Sequence, residues 1–283
     1  MANVAAILDL AAVRLAAAGV DSPHRDARLL MAMVLDVAPQ SLTLRADRVL
    51  NGGEAERLEV VLARRAAREP ISRILGRRGF WTLDLAIGPD TLDPRPDSET
   101  VIEAVLAALP DRGHPWRLLD FGTGSGCLLL ALLAELPQAS GLGIDRAEGA
   151  LRVAAANAVS CGLSERVAFV CADWGAALNG WFDVILANPP YIPDEEIAGL
   201  EPEVAMWEPR LALAGGADGL DCYRRLAPYT ARLLAPGGVA AWEVGQGQAG
   251  AVANLLTAAG LTVTALRPDL AGVDRCVVAR RPA

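Results

Sequence analysis

Apolar residues recur at helical spacing over Val4–Ala18, Ser22–Val37 and Glu54–Arg68, which predicts three helices before residue 79. Asp21-Ser22-Pro23 signals a helix start, and Asn51-Gly52-Gly53 reads as a break between two helices. No alternating strand pattern occurs in this stretch, so residues 1–79 are expected to form a small helical domain. From Gly79 to Pro96 the texture changes. Phe80–Ile87 alternates in part and carries aromatic residues, and Gly88-Pro89 follows as a turn, so residues 80–97 read as a hairpin-like connector.

After Ser98 strand patterns alternate with helical ones. The strands expected are Arg117–Phe121, Ala139–Ile144, Val167–Cys171, Phe182–Ala187, Gly238–Val244, Leu261–Leu266 and Arg275–Ala279. Helices between most of them imply a mainly parallel sheet with right-handed crossovers. The last two strands are joined by a segment too short for a helix and should pair antiparallel at one edge. The fold class is therefore α/β, a seven-stranded, mostly parallel sheet over residues 98–283 behind a small helical domain.

Composition narrows the function. Of 283 residues, 53% are hydrophobic and 21% charged, enough for a full core. No apolar run approaches the roughly 20 residues of a membrane span, and Asp9 and Arg14 interrupt the N-terminal apolar face. A cytoplasmic protein without a signal peptide or a membrane partner is expected. Cys127, Cys161, Cys171, Cys222 and Cys276 are scattered singly, and His24 and His114 stand apart. Neither set has metal-ligand spacing, so reduced, mostly buried thiols and surface histidines are expected, with no metal. The net charge of −8 argues against bulk electrostatic capture of nucleic acid. Residues 1–79 hold 12 arginines against 9 acids, so the remainder carries −11. Lysine is absent, which excludes lysine-based phosphate loops and Schiff bases.

Four segments carry candidate chemistry. Leu118–Phe121 runs into Gly122-Thr123-Gly124-Ser125-Gly126 and then an apolar helix, a loop that lets a ligand approach the main chain. Its G-x-G-x-G spacing differs from that of dinucleotide binders. Asp145 closes the next strand, 23 residues after Gly122, where a carboxylate can accept from both ribose hydroxyls; a helix N-cap is the alternative. Asp173-Trp174 ends the third strand, where an acid can bind an adenine amino group and an aromatic ring can cover the base. Finally, Asp183–Ala187 delivers Asn188-Pro189-Pro190-Tyr191 to the ligand-binding end of the sheet. Prolines donate no backbone hydrogen bond, so carbonyls there remain free to accept. A planar –NH2 group brings two donors, which suit the Asn188 side-chain oxygen and the Pro189 carbonyl, with Tyr191 stacked on the plane.

At these residues the chain resembles the class I S-adenosylmethionine (SAM)-dependent methyltransferases that carry an Asn-Pro-Pro-Tyr motif on a Rossmann-like sheet. Glu69–Gly76, Phe80-Trp81 and Thr91–Glu99 are similar to the release-factor glutamine methyltransferases, the PrmC/HemK family, as are Glu208-Pro209, Leu213, Asp218–Leu220 and Trp242–Gly247. Asp93 departs from that pattern, which has an apolar residue before Pro-Arg-Pro, and so does Phe121 before the glycine loop. The resemblance implies transfer of a methyl group from SAM, leaving S-adenosylhomocysteine, to the side-chain amide of the Gly-Gly-Gln glutamine of peptide chain release factors. It implies that Gly122–Gly126, Asp145, Asp173, Trp174 and Asn188 hold SAM, and that Asn188-Pro189-Pro190-Tyr191 holds the glutamine amide. The helical domain would help recognise the partner. The Arg64, Arg65, Arg68, Arg73, Arg77 and Arg78 cluster is either a docking surface or a solvated face paired with Glu56, Glu59 and Glu69. A ribosomal-protein glutamine or a nucleic-acid adenine N6 position is the alternative substrate, though the acidic catalytic half disfavours nucleic acid.

Overall fold

The computed structural model describes residues 3–283. Two units form, both discontinuous in sequence: residues 3–76 with Glu201–Trp207, and residues 77–200 with 208–283.

The first unit holds α1 (Val4–Ala17), α2 (Pro23–Leu35), α3 (Gly52–Ala66) and α4 (Ile71–Leu75). Local chemistry starts each long helix. Asn3 accepts from the Ala6 N–H, and Pro23 occupies the first turn of α2. Asn51 does more than separate helices. Its side chain accepts from Glu54 N while Glu54 accepts from Asn51 N, a capping box that takes Gly52 and Gly53 into α3 as its first turn. Asn51→Ala should therefore lower stability by about 1 kcal/mol, read as an earlier melting step for this unit by far-ultraviolet circular dichroism. Leu15, Leu30, Met31, Leu42 and Leu58 are buried together in its core.

Arg65 is nearly buried in the same unit. Its Nε donates to Asp26 Oδ2 at 2.8 Å and its Nη1 to Glu203 Oε1 at 3.0 Å. Arg68 donates through Nε and Nη2 to the two Glu203 oxygens at 2.5 Å each. Bidentate guanidinium pairing of this kind is the strong form of the interaction. Among the other cluster arginines, Arg64 pairs with Glu69, Arg77 with Asp84 and Arg78 with Asp93. Glu59, expected as a partner, pairs with Arg14 instead. Much of the cluster's charge is thus neutralised within the chain.

The second unit opens with an antiparallel pair, β1 (Arg77–Phe80) and β2 (Leu83–Ala86). The hairpin turns at Trp81-Thr82, earlier than the expected Gly88-Pro89. Trp81 takes φ +53, an uncommon value for a bulky residue. Two bonds hold it there, from its N–H to Glu99 and from its indole N–H to Glu135, each 2.8 Å.

There follow α5 (Glu99–Ala108), β3 (Arg117–Phe121), α6 (Cys127–Glu135), β4 (Ser140–Asp145), α7 (Glu148–Ser160), β5 (Val167–Cys171) and β6 (Phe182–Ala187). Then come α8 (Pro202–Ala205, part of the first unit), α9 (Arg210–Leu213), α10 (Asp221–Leu233), β7 (Leu234–Glu243), α11 (Ala249–Ala258), β8 (Thr262–Pro268) and β9 (Asp274–Arg280). The sheet order is β5-β4-β3-β6-β7-β9-β8. β5, β4, β3, β6 and β7 run parallel, and β8 and β9 pair antiparallel at the edge. The expected seven-stranded, mostly parallel sheet is the observed one.

Successive strand residues feed opposite cores. Leu118, Val184 and Leu186 pack with α5 and α6, whereas Leu119, Ile185 and Trp242 pack with α10 and α11. Chain order reverses at β3, whose neighbours are β4 and β6. Open α/β sheets bind ligands at the carboxyl ends of strands at such a switch point.

All five cysteines are free, but only Cys276 is fully buried, fewer than the composition suggested. Both histidines are exposed. Among the described residues no single helix is long and apolar enough to cross a membrane.

Candidate active site

A cavity opens at the carboxyl ends of β3, β4, β5 and β6. Of the residues singled out from sequence, Gly122, Thr123, Gly124, Ser125, Asp145, Asp173, Trp174, Asn188 and Pro190 line it. Gly126, Pro189 and Tyr191 lie outside the lining.

The glycine loop is shaped by polar contacts at both ends. Thr123 N donates to Ile144 O at 2.8 Å, and the Thr123 hydroxyl donates to Asp120 Oδ2 at 2.7 Å. Gly122 has φ +70, and a Cβ there would sit 3.6 Å from the Trp174 ring, narrowing the cavity where backbone and indole face each other. Asp145 accepts from Gly124 N and from Ala147 N, both at 2.9 Å. The N-cap alternative does not hold: Ala147 is the N-cap of α7, which has no side-chain cap, and Asp145 instead closes a local turn onto Ala147 N while bordering the cavity. Asp173 pairs with Arg225 at 2.6 Å on an exposed rim. Trp174 adopts φ +54 and meets Phe121 edge-on, with centroids 6.4 Å apart.

Asp120 was missed by sequence reasoning centred on the glycines, although an acid closing a strand just before such a loop was a readable signal. It lines the cavity, is 1% exposed, and its Oδ1 has no partner. Burial pushes its carboxyl up to about 7, opposed by the Thr123 hydroxyl and reinforced by the Asp145 charge. An orphaned buried acceptor facing a cavity calls for a donor, preferably a cationic one.

Asn188 follows β6, and its Nδ2 donates to Ser98 Oγ at 3.3 Å, across 90 residues of chain. Gln248 braces the next loop: its Nε2 donates to Tyr191 O at 2.9 Å and its Oε1 accepts from Gly245 N at 3.1 Å. Gly219, at φ +74, packs so closely on the Tyr191 carbonyl that any Cβ would collide with it. Burial raises the Tyr191 hydroxyl pKa, and the Glu243 charge adds to this, so the ring stays neutral. Asp93, the departure from the family pattern, is buried but not isolated. Arg78 lies 3.6 Å from it, and its N–H donates to Glu208 at 3.3 Å.

These residues fit SAM as a ligand. The loop offers close main-chain approach, Asp120 an unpaired acceptor for an ammonium, Asp145 an acceptor for hydroxyls, and Trp174 an apolar face. A family profile described as "Methyltransferase small domain" matches residues 97–200. Two solved structures share the fold. They are a methyltransferase from Pyrococcus furiosus (16% identical, 81% of this chain and 100% of that one, TM-score 0.52) and the hMettl16 catalytic domain (17% identical, 81% of each, TM-score 0.55). Fold, cavity and profile define a SAM-dependent methyltransferase. A second profile, "PrmC N-terminal domain", matches residues 6–76. Proteins named release factor glutamine methyltransferase are 58% identical in Rhodospirillum rubrum (98% of this chain, 85% of the relative) and 47% identical in Cereibacter sphaeroides (98% of each). The chain belongs to the release factor glutamine methyltransferase family.

Proposed function

We propose that this enzyme methylates the side-chain amide nitrogen (N5) of the glutamine in the Gly-Gly-Gln motif of peptide chain release factors. The observation that carries this reading is Asn188, held at the cavity wall by Ser98 and followed by a loop whose prolines leave carbonyls free. Asn188 Oδ1 and the Pro189 carbonyl accept the two amide N–H groups, and Tyr191 covers the amide plane. Gly122–Ser125, Asp120, Asp145, Asp173 and Trp174 hold SAM, whose sulfonium supplies an activated methyl group when bound.

An amide nitrogen is a poor nucleophile because its lone pair is delocalised into the carbonyl. Acceptors on both N–H bonds orient that lone pair and favour a more pyramidal nitrogen. Positive charge grows on nitrogen as the new N–C bond forms and the C–S bond breaks, so the acceptor dipoles stabilise the transition state more than the ground state. The methylated nitrogen is then acidic and sheds its proton without a strong base. In-line positioning supplies the main part of the rate gain, up to roughly 7–11 kcal/mol in the best cases. The helical unit serves recognition of the release factor, and the reaction takes place in the cytoplasm.

The test is incubation of the purified enzyme with SAM and an unmethylated release factor, followed by mass analysis of the Gly-Gly-Gln peptide. One added methyl group on that glutamine is expected. An unmodified peptide alongside measurable SAM binding would refute the substrate and redirect the search to ribosomal-protein glutamines and nucleic-acid adenines.

A further inference from the structure

Behind the cavity wall, outside its lining, lies Glu243, the last residue of β7 and 2% exposed. β6 and β7 run parallel with Ala187 opposite Trp242, which brings Asn188 and Glu243 side by side at the carboxyl edge of the sheet. Ser98, also 2% exposed, joins them. Its Oγ accepts from Asn188 Nδ2 at 3.3 Å, and Ser98 and Asn188 both act to lower the pKa of the adjacent Glu243 carboxyl, whose Oε2 has no hydrogen-bond partner in the structure. The backbone is pinned as well, since the Tyr223 hydroxyl donates to Glu243 O at 2.9 Å.

We propose that Glu243 is a positioning residue that sets the polarity of Asn188 through Ser98. A carboxylate only accepts hydrogen bonds. The Ser98 hydroxyl must therefore donate to it, which leaves the Ser98 oxygen to accept from the Asn188 –NH2. That places Asn188 Oδ1 toward the cavity, as an acceptor for the substrate N–H. A protonated Glu243 can donate, and the chain then reverses: Ser98 donates to Asn188 Oδ1 and the Asn188 –NH2 faces an incoming –NH2 group. An asparagine without such a neighbour has no electrostatic reason to choose one flip over the other. The inference rests on the proposed amide substrate, because only an N–H donor needs this polarity.

Burial pushes the Glu243 carboxyl up to about 7 against the Ser98 and Asn188 hydrogen bonds and the charge of Arg275, while Asp97 pushes it further up. Tyr191, Tyr223, Cys127 and Cys276 are the other titratable groups that feel its charge, and burial keeps all four neutral near pH 7. At saturating SAM, kcat should fall below about pH 7 in the wild type and stay flat in Glu243→Gln.

The decisive experiment is a double-mutant cycle on the full-length enzyme, with a release factor as substrate and SAM affinity measured in parallel. Glu243→Gln and Ser98→Ala should each lower kcat by about tenfold with SAM affinity nearly unchanged. The double variant should be no worse than either single one, because both break the same chain. Independent losses, giving about a hundredfold in the double variant, would overturn the inference, as would a Glu243→Gln enzyme of wild-type kcat. Should Glu243→Gln fail to fold, Ser98→Ala alone decides: a reduced kcat supports the chain and an unchanged one refutes it. Additivity in an active enzyme sinks this inference only, whereas a wild type inactive on release factors sinks the substrate reading and this inference with it.

Discussion

Asn188→Ala is expected to lower kcat by about 100- to 1000-fold while the SAM dissociation constant moves by less than about threefold. On the proposed reading, Asn188 presents one of the two acceptors that face the reacting nitrogen. Removing it leaves an N–H unsatisfied as charge builds there, a loss felt mainly at the transition state. In the proposed site the SAM contacts spread over the glycine loop, Asp145 and Trp174, all of which line the cavity, so one wall residue contributes little to them. Single-turnover methylation and equilibrium SAM binding measure the two quantities separately. Loss of SAM binding with turnover intact at saturation would show that Asn188 belongs to the cofactor side alone.

Asp120→Asn should act the other way, on SAM affinity. The buried carboxyl is raised to about 7, so in its proposed role it would pair with the SAM ammonium only when ionised. Wild-type affinity should therefore fall about tenfold per pH unit below about 7. Above roughly 8 it should fall again, as an α-amino group loses its proton. The variant should bind about 10- to 100-fold more weakly at pH 7.5, with no acidic limb. Stability carries the opposite sign. A carboxyl raised in the folded state contributes stability below its unfolded value, and that contribution is lost as pH rises toward about 7. The unliganded variant should thus melt above the wild type at pH 8, and the gap should close toward pH 4. Titration of Trp174 fluorescence with SAM across pH reads the affinity. A pH-independent wild-type curve would remove Asp120 from the ammonium site.

The sheet was legible because its inner strands are short apolar runs closed by turn residues. Arg117–Phe121 and Phe182–Ala187 were bounded correctly to the residue. β1 was not, since Arg77-Arg78-Gly79-Phe80 shows no alternation and becomes a strand only by pairing with Leu83–Ala86. The cavity was half legible. Gly122–Ser125, Asp145, Asp173, Trp174 and Asn188 converge there because each closes or follows a parallel strand, so order along the chain predicts nearness in space. Ser98 follows no such rule, and Glu243, although it closes a parallel strand, lies outside the lining. One sits before a helix 90 residues from Asn188, and the other is an acid at the end of an apolar strand. Both sit in segments that resemble the family, Thr91–Glu99 and Trp242–Gly247, but their shared position beside Asn188 appears only in the fold.

The ion pairs of Glu203 constrain how the protein can be made. Arg65 and Arg68 leave the ribosome early, but their shared counter-ion follows 138 and 135 residues later. Until it emerges, two guanidiniums in the helical unit lack that partner, and Arg65, nearly buried in the finished unit, has only Asp26 as a counter-ion, with the Glu69 carbonyl beside it. The usual order, with the N-terminal unit complete before the next begins, does not apply. The helical unit can reach its final state only after β6 and the Asn188 loop have been synthesised. A fragment ending at Gly76 would remain in the incomplete state, which makes the isolated N-terminal segment a poor stand-in for the unit in the whole enzyme.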